Sequence, residues 1–293
     1  MYTQFFGNFL LNNNYTDTIS LSKALQAQSN TKLKLGVLAI NSGYMTAEQV
    51  EKVHNMQQKV DKRFGDLAVK MGYLNDEKVT ELLTKQQPGY LLLGQTLFDN
   101  GDISPADLEK AITEYKEKYS IIDSDLTIEQ NDRYKELIND FYRVCENDSM
   151  GIEKDYISLL FNNLIRFIGT DFIPREAKVL DSYSADNAFI QEIDGAFDAQ
   201  TAITVSHDVT MKFACRYAGE ETTDVEYAMA TVSEFLNLQN GLFAVNLSNS
   251  NNIEISLQPQ KIISNFKISD KPRVICIPFE FSFGTVNFIF AKN

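Results

Sequence analysis

The feature that most constrains this 293-residue chain is a repeat near its start. Gly7, Gly36, Gly65 and Gly94 recur every 29 residues, each after a large apolar residue: Phe6, Leu35, Phe64 and Leu93. Every unit continues with a short apolar stretch, a turn at Asn14-Tyr15, Gly43-Tyr44, Gly72-Tyr73 or Gly101-Asp102, and a second amphipathic stretch. Self-similarity at such a period predicts tandem helix hairpins. The turn glycines can take the positive φ that ends a helix, and Thr46, Asn75 and Ser104 stand where the next helix wants an N-cap. Val50, Val53 and Met56 mark the apolar stripe of one second helix, with Val79, Leu82 and Leu83 in the next. No single hairpin buries such a stripe, so the units are expected to stack.

The remainder reads differently. Apolar spacing predicts helices over 126–147 (Ile128, Leu137, Ile138, Phe141) and 153–168 (Ile157, Leu160, Leu164, Ile168). Alternation in Ala199, Thr201, Ile203, Val205 and in Val209, Met211, Phe213, Cys215, Tyr217 predicts a β-hairpin that turns at Ser206-His207-Asp208. A further helix is expected to open on the capping box Thr223-Asp224-Val225-Glu226. It should run to Gly241, with Val225, Met229, Val232 and Leu236 toward the sheet. Strands follow at Ile253, Ile255, Leu257, at Val274, Cys276, Phe279, Phe281, Phe283, and at Val286, Phe288, Phe290. The fold class is therefore α+β: all-α hairpin repeats over 1–120, then an antiparallel sheet packed with long helices over 121–293, its core at about 150–293.

Charge divides the same way. Residues 1–120 hold 13 basic and 14 acidic side chains, leaving 14 and 26 for the rest. A net charge of -13 repels a phosphate backbone, so nucleic acid is not an expected partner. Cys145, Cys215 and Cys276 have no metal or disulfide spacing, and His54 and His207 are the only histidines, so no metal site is expected. No apolar run is long enough to span a bilayer. A cytoplasmic protein without membrane insertion is the expectation.

The repeats carry a resemblance. K-L-G…S-G-Y-M-T-A-E-Q-V…Q, ending at Gln57, and R-F-G…M-G-Y-L-N-D-E-K-V…Q, ending at Gln86, resemble the tandem R-L-G…Q units of the N-terminal domains of GspE/MshE-type ATPases. Units at 34–57 and 63–86, with Gln58 to Lys62 between them, match the spacing of members that bind cyclic di-GMP. That resemblance implies Lys34, Gln57, Arg63 and Gln86 as ligand contacts. The planar fork of arginine stacks on a base and grips phosphate, whereas lysine acts as a point charge. A scaffold or protein-docking surface is the other reading of the same repeats.

In the second half, Glu234 and Asn237 lie three apart on one helix and share a face. The string Glu234-Phe235-Leu236-Asn237-Leu238-Gln239-Asn240-Gly241 resembles the E-L-x-N-x-x-x-G signature of the CheX members of the CheC/CheX/FliY phosphatases. The likeness covers about 150–293. It implies removal of the phosphoryl group from the aspartate of a CheY-like response regulator, with Glu234 and Asn237 as the catalytic pair. The receiver would supply Mg2+ and a lysine, so no cofactor of its own is expected. Ala230 stands where the family often has an acidic or hydroxyl residue, and Pro259 falls one residue closer to the asparagine than usual. Leu159-Leu160-Phe161-Asn162 lacks the glutamate of a second E-x-x-N copy, so one site per domain is expected, as in the CheX type, which tends to be a homodimer. The alternative is a non-enzymatic signalling adaptor whose repeats bind cyclic di-GMP or a protein.

Overall fold

The computed structural model describes residues 2–27, 32–84, 89–119, 152–269 and 271–292. The helix expected over 126–147, Cys145 and Gln86 lie outside them. The chain divides into two compact units, 1–131 and 132–293.

In the first unit the repeat becomes four helix hairpins: α1 (Tyr2–Asn12) with α2 (Thr18–Ala27), α3 (Leu35–Asn41) with α4 (Ala47–Gln57), α5 (Phe64–Lys70) with α6 (Asp76–Thr84), and α7 (Gly89–Asp99) with α8 (Pro105–Lys118). The turn residues Asn14, Gly43, Gly72 and Gly101 all have positive φ, between 57° and 81°. Behind each, two amides fold back on the preceding helix. Gly43 N–H donates to Ile40 O at 2.9 Å and Tyr44 N–H to Ala39 O at 2.9 Å, the paired bonds of a Schellman stop. The expected caps are in place: the Thr46 and Ser104 hydroxyls accept from Gln49 and Asp107 N–H, and Asn75 Oδ1 accepts from Lys78 N–H. Asp17 caps the first hairpin in the same way, with its carboxylate accepting from Ile19 and Ser20 N–H.

The stripes are narrower than expected. Val53 and Leu82 are buried, but Met56 and Leu83 are exposed. In the second, third and fourth hairpins the second helix instead packs, through Val50, Val79 and Leu108, on the repeat glycine of the first helix. A Cβ on Gly36 would lie 2.8 Å from Val50 and 3.2 Å from Phe64; one on Gly94 would lie 2.7 Å from Leu108 and 3.5 Å from Phe6. The residue before the glycine of one hairpin thus reaches the glycine of another. The second hairpin pairs with the third, and the fourth with the first.

The units stack, though not in chain order. Phe6 packs on Tyr90 and Tyr115 at ring separations of 5.3 and 4.9 Å, and Tyr15 donates to Glu114, joining the first hairpin to the fourth. Gln95, fully buried, bonds Lys34 N and Lys32 O, and Tyr90 donates to Asn41, joining the fourth to the second. Tyr44 donates to Glu81 and lies under the Lys78 ammonium, joining the second to the third. The order in space is first, fourth, second, third.

The second unit is an α+β fold. Helix α9 (Ile152–Phe167) precedes strands β1 (Phe172–Pro174), β2 (Lys178–Leu180), β3 (Tyr183–Gly195) and β4 (Ala199–Thr204). Helices α10 (His207–Ala218) and α11 (Val225–Asn251) follow, then β5 (Ile255–Leu257), β6 (Lys261–Ile268), β7 (Arg273–Phe281) and β8 (Gly284–Lys292). All pairings are antiparallel, in the order β1-β7-β8-β4-β3-β5, with β2 also on β7 and β6 also on β3. Rows across the sheet alternate faces. The row Phe189, Ile203, Phe288, Ile277 faces the helices, where Phe288 meets Phe235 of α11. The row Ile190, Ala202, Ile289, Cys276 forms a smaller apolar cluster on the opposite face. Burial pushes the Cys276 thiol up to about 11.

Two expectations for this unit need correction. Residues 207–218 form a helix, not the second strand of a hairpin. Their buried positions, Val209, Thr210, Phe213 and Ala214, follow helical spacing. Ser206 is the N-cap and Gly219, at φ 74°, the left-handed stop, so the polar triplet that reads as a turn opens a helix. Next, α11 is capped by Asp224 and not Thr223, and it runs through Gly241 to Asn251. Its buried stripe is Ala228, Val232, Phe235, Leu236, Phe243 and Leu247, which leaves Val225 exposed. Strands β3 and β6, neither read from the sequence, lie at one end of the strand order, where β6 shows little apolar alternation and is mostly exposed.

Gly94→Ala should cost about 1–3 kcal/mol through overpacking against Leu108. Calorimetry of the whole chain should show one transition, that of the first unit, moving down; an unchanged profile would contradict the packing described.

Candidate functional site

The site is built on α11. Asp224 Oδ1 accepts from Glu226 and Tyr227 N–H at 2.9 and 3.2 Å, fixing the first turn. The buried stripe then sets which side faces out. Tyr227, Ala230, Glu234, Leu242 and Val245 are exposed, and Leu238 and Gly241 half-buried on the same side. Beyond the first turn, where Glu226 is also exposed, Glu234 is the one charged group of that outward side. Asn237 sits at its edge, half-buried, three residues on. A Cβ on Gly241 would meet open space, so backbone there is accessible to a docking surface.

Beneath Asn237 lies a network of uncharged polar side chains. Gln191 on β3, only 2% exposed, donates through Nε2 to Asn237 Oδ1 at 3.0 Å and to the Gln258 carbonyl at 2.9 Å. Its Oε1 accepts from Asn240 Nδ2 at 2.8 Å. Asn240 is fully buried and also donates to Thr201 Oγ1 at 2.8 Å, while its Oδ1 accepts from Tyr156 at 3.2 Å. Thr201 in turn donates to Gln191 O at 3.1 Å. One residue back, Gln239 takes a bond from Asn163 Nδ2 at 2.8 Å and donates to Tyr156 O. Low dielectric strengthens such bonds, and it penalises any member left unpaired. Burial raises the Tyr156 phenol above its ordinary range, so it stays a neutral donor. Burial also raises Tyr217 on α10, with the Glu234 carboxylate adding to the shift.

The structure therefore brings Glu234 and Asn237 onto one accessible side. Pro259, in the β5–β6 connection, follows the Gln258 carbonyl that Gln191 holds. Sequence reasoning did not place Gln191, Thr201 or Tyr156 at the site; Thr201 was read only as a strand position. Gln239 and Asn240 carried a signal, since both fall on the buried side of an otherwise apolar helix.

In the first unit, Lys34 and Gln57 line one cavity of about 560 Å3, with Leu35, Val50, His54 and Phe64, and with Phe98 and Asp99 from the fourth hairpin. Lys34 Nζ is bound to Asp99 Oδ1 at 2.6 Å and Gln57 donates to Lys62 O at 3.2 Å. Arg63 is exposed and does not line that cavity. Among the described residues no cluster of three or more His, Cys, Asp or Glu is placed to hold a metal, and no helix is long and apolar enough to cross a membrane.

No family model and no curated protein matches the chain. Solved structures do. The similarity is to CheX and CheC-like chemotaxis proteins. CheX from Desulfovibrio desulfuricans is 20% identical over 49% of this chain and 100% of its own, with a TM-score of 0.43. CheX from Borrelia burgdorferi, solved as a CheX-CheY-BeF3-Mg2+ complex, is 17% identical over 48% of this chain and 97% of its own, at 0.42. FliY from Thermotoga maritima is 15% identical over 57% and 90%, at 0.34.

Asn240→Ala should destabilise the second unit by ~2–3 kcal/mol, because it orphans Gln191 Oε1 in a dry seam and takes away the Asn240 acceptor of the Tyr156 hydroxyl. Chemical denaturation of the full chain checks this; a loss below about 0.5 kcal/mol would mean that the network is not held as described.

Proposed function

We propose that the second unit is a phosphatase for the aspartyl phosphate of a CheY-like receiver. The observation that carries this is the pairing of Glu234 and Asn237 on the outward side of α11, with the Asn237 amide held by Gln191 and the rest of that side almost uncharged. An apolar stripe with one carboxylate suits a protein partner that presents a cation. In this reading Glu234 pairs with the active-site lysine of the receiver, which sets register. Asn237 hydrogen-bonds a water in line with the acyl phosphate. Water oxygen forms a bond to phosphorus as the bond to the aspartyl oxygen breaks, releasing carboxylate and dihydrogen phosphate. The receiver's Mg2+ and lysine carry the phosphoryl charge, and Asn237 brings no negative charge toward it.

Asn237→Ala should lengthen the lifetime of phosphoaspartate on a receiver by at least about 100-fold relative to the native protein, with receiver binding retained. Glu234→Ala should instead weaken binding first. A receiver that binds but keeps its phosphoryl group as long as it does alone would leave an adaptor in place of an enzyme.

The cavity of the repeat unit supports a second reading, cyclic di-GMP binding, because it gathers Lys34 and Gln57 from the expected contact set. Lys34 would have to exchange Asp99 for phosphate. Calorimetric titration should then give micromolar affinity that Lys34→Ala reduces about tenfold, by the loss of one charge-assisted contact. No heat and no binding by the intact chain would retire this reading.

A further inference from the structure

The polar seam under α11 determines which end of the Asn237 amide faces outward. Amide oxygen and nitrogen are told apart by their partners, so the chain of bonds can be followed from groups that act in one way only. The Gln258 main-chain carbonyl can only accept, so the Gln191 atom 2.9 Å from it is the nitrogen Nε2. The Gln191 main-chain carbonyl likewise only accepts, so Thr201 spends its one proton there and must accept from Asn240. That places Asn240 Nδ2 toward Thr201 and Gln191, and it leaves Gln191 Oε1 as the acceptor between them. Both anchors agree. The Gln191 nitrogen is therefore what meets Asn237 at 3.0 Å, and only the Asn237 oxygen can receive it.

We infer that Gln191 is a positioning residue that turns Asn237 so that its Nδ2 N–H, and not its oxygen, is offered at the surface of α11. Among the described residues the Asn237 nitrogen makes no hydrogen bond. Its half-buried site lets it reach water or a docked oxygen while the Oδ1 stays locked. The group presented is a neutral donor, which matches an electron-rich target: a phosphoryl oxygen or, on an incoming water, the lone pair that is not the one attacking phosphorus. The orientation stands on the hydrogen-bond network alone. Its catalytic consequence rests on the phosphatase reading above.

Two measurements on the full chain separate these. Water exchange of the side-chain amide protons, followed by nitrogen-edited NMR, should be about 100-fold faster for Asn237 than for Gln191 and Asn240, which are buried donors. Protected Asn237 amide protons would overturn the inference. In receiver dephosphorylation, Gln191→Leu should lower kcat by on the order of 100-fold with KM unchanged, and should add nothing when combined with Asn237→Ala. Gln191→Glu, assayed above neutral pH, keeps the size but removes the donor and should behave alike. A loss that is additive to Asn237→Ala, or one confined to KM, overturns the positioning role. Rapid Asn237 exchange in a native protein that dephosphorylates no receiver would support the orientation and dismiss the phosphatase reading alone.

Discussion

The second unit is organised by the need to satisfy uncharged polar groups in a dry seam. Gln191, Thr201 and Asn240 sit where an apolar core would otherwise close over the sheet, and each is bonded to the others. An amide buried without partners is costly, so the helix can slide or rotate on the sheet only by breaking several bonds together. The ring contacts around it, such as Tyr156 on Phe243 at 5.0 Å and Phe235 on Phe213 at 5.1 Å, supply attraction but tolerate small shifts. The amides do not. Placement of Glu234 and Asn237 relative to the sheet follows from that difference.

The parts of the fold that were legible in the sequence are those written in local chemistry. Positive-φ turns and N-caps depend on a few adjacent residues, so Gly43 with Thr46, and Gly101 with Ser104, could be read directly. Helix α9 was equally plain, because Ile157, Leu160 and Leu164 keep one period and are all buried. The region 207–218 was not, since an apolar residue at every second position satisfies a strand and half of a helix at once. Burial decided it, through Val209 with Thr210 and Phe213 with Ala214, and burial is a tertiary outcome.

The candidate site divides along the same line. Glu234 and Asn237 share a helix and a short motif, so their common face is a local fact. Gln191 lies 46 residues away in sequence, and its bond to Asn237 exists only because β3 and α11 meet. The ligand contacts expected in the repeats show the limit from the other side. Lys34 and Gln57 line one cavity, whereas Arg63 is turned to solvent, and Asp99 from a distant hairpin has claimed the Lys34 ammonium. A motif specifies neighbours along the chain; it does not specify what a later repeat places beside them.

The spatial order of the hairpins bears on how the chain is made. In an open solenoid each repeat can settle on the one before it as synthesis proceeds. Here the first hairpin packs on the fourth through Phe6, Tyr90 and Tyr115, and the fourth also joins the second through Gln95 and Asn41. During vectorial synthesis the second and third hairpins can pair early, while the first must wait until about a hundred further residues have left the ribosome. Phe5, Phe6, Phe9 and Leu10, all buried in the finished protein, are exposed for that interval. Helix α1 thus remains an apolar, aggregation-prone segment of the nascent chain until the fourth hairpin has emerged.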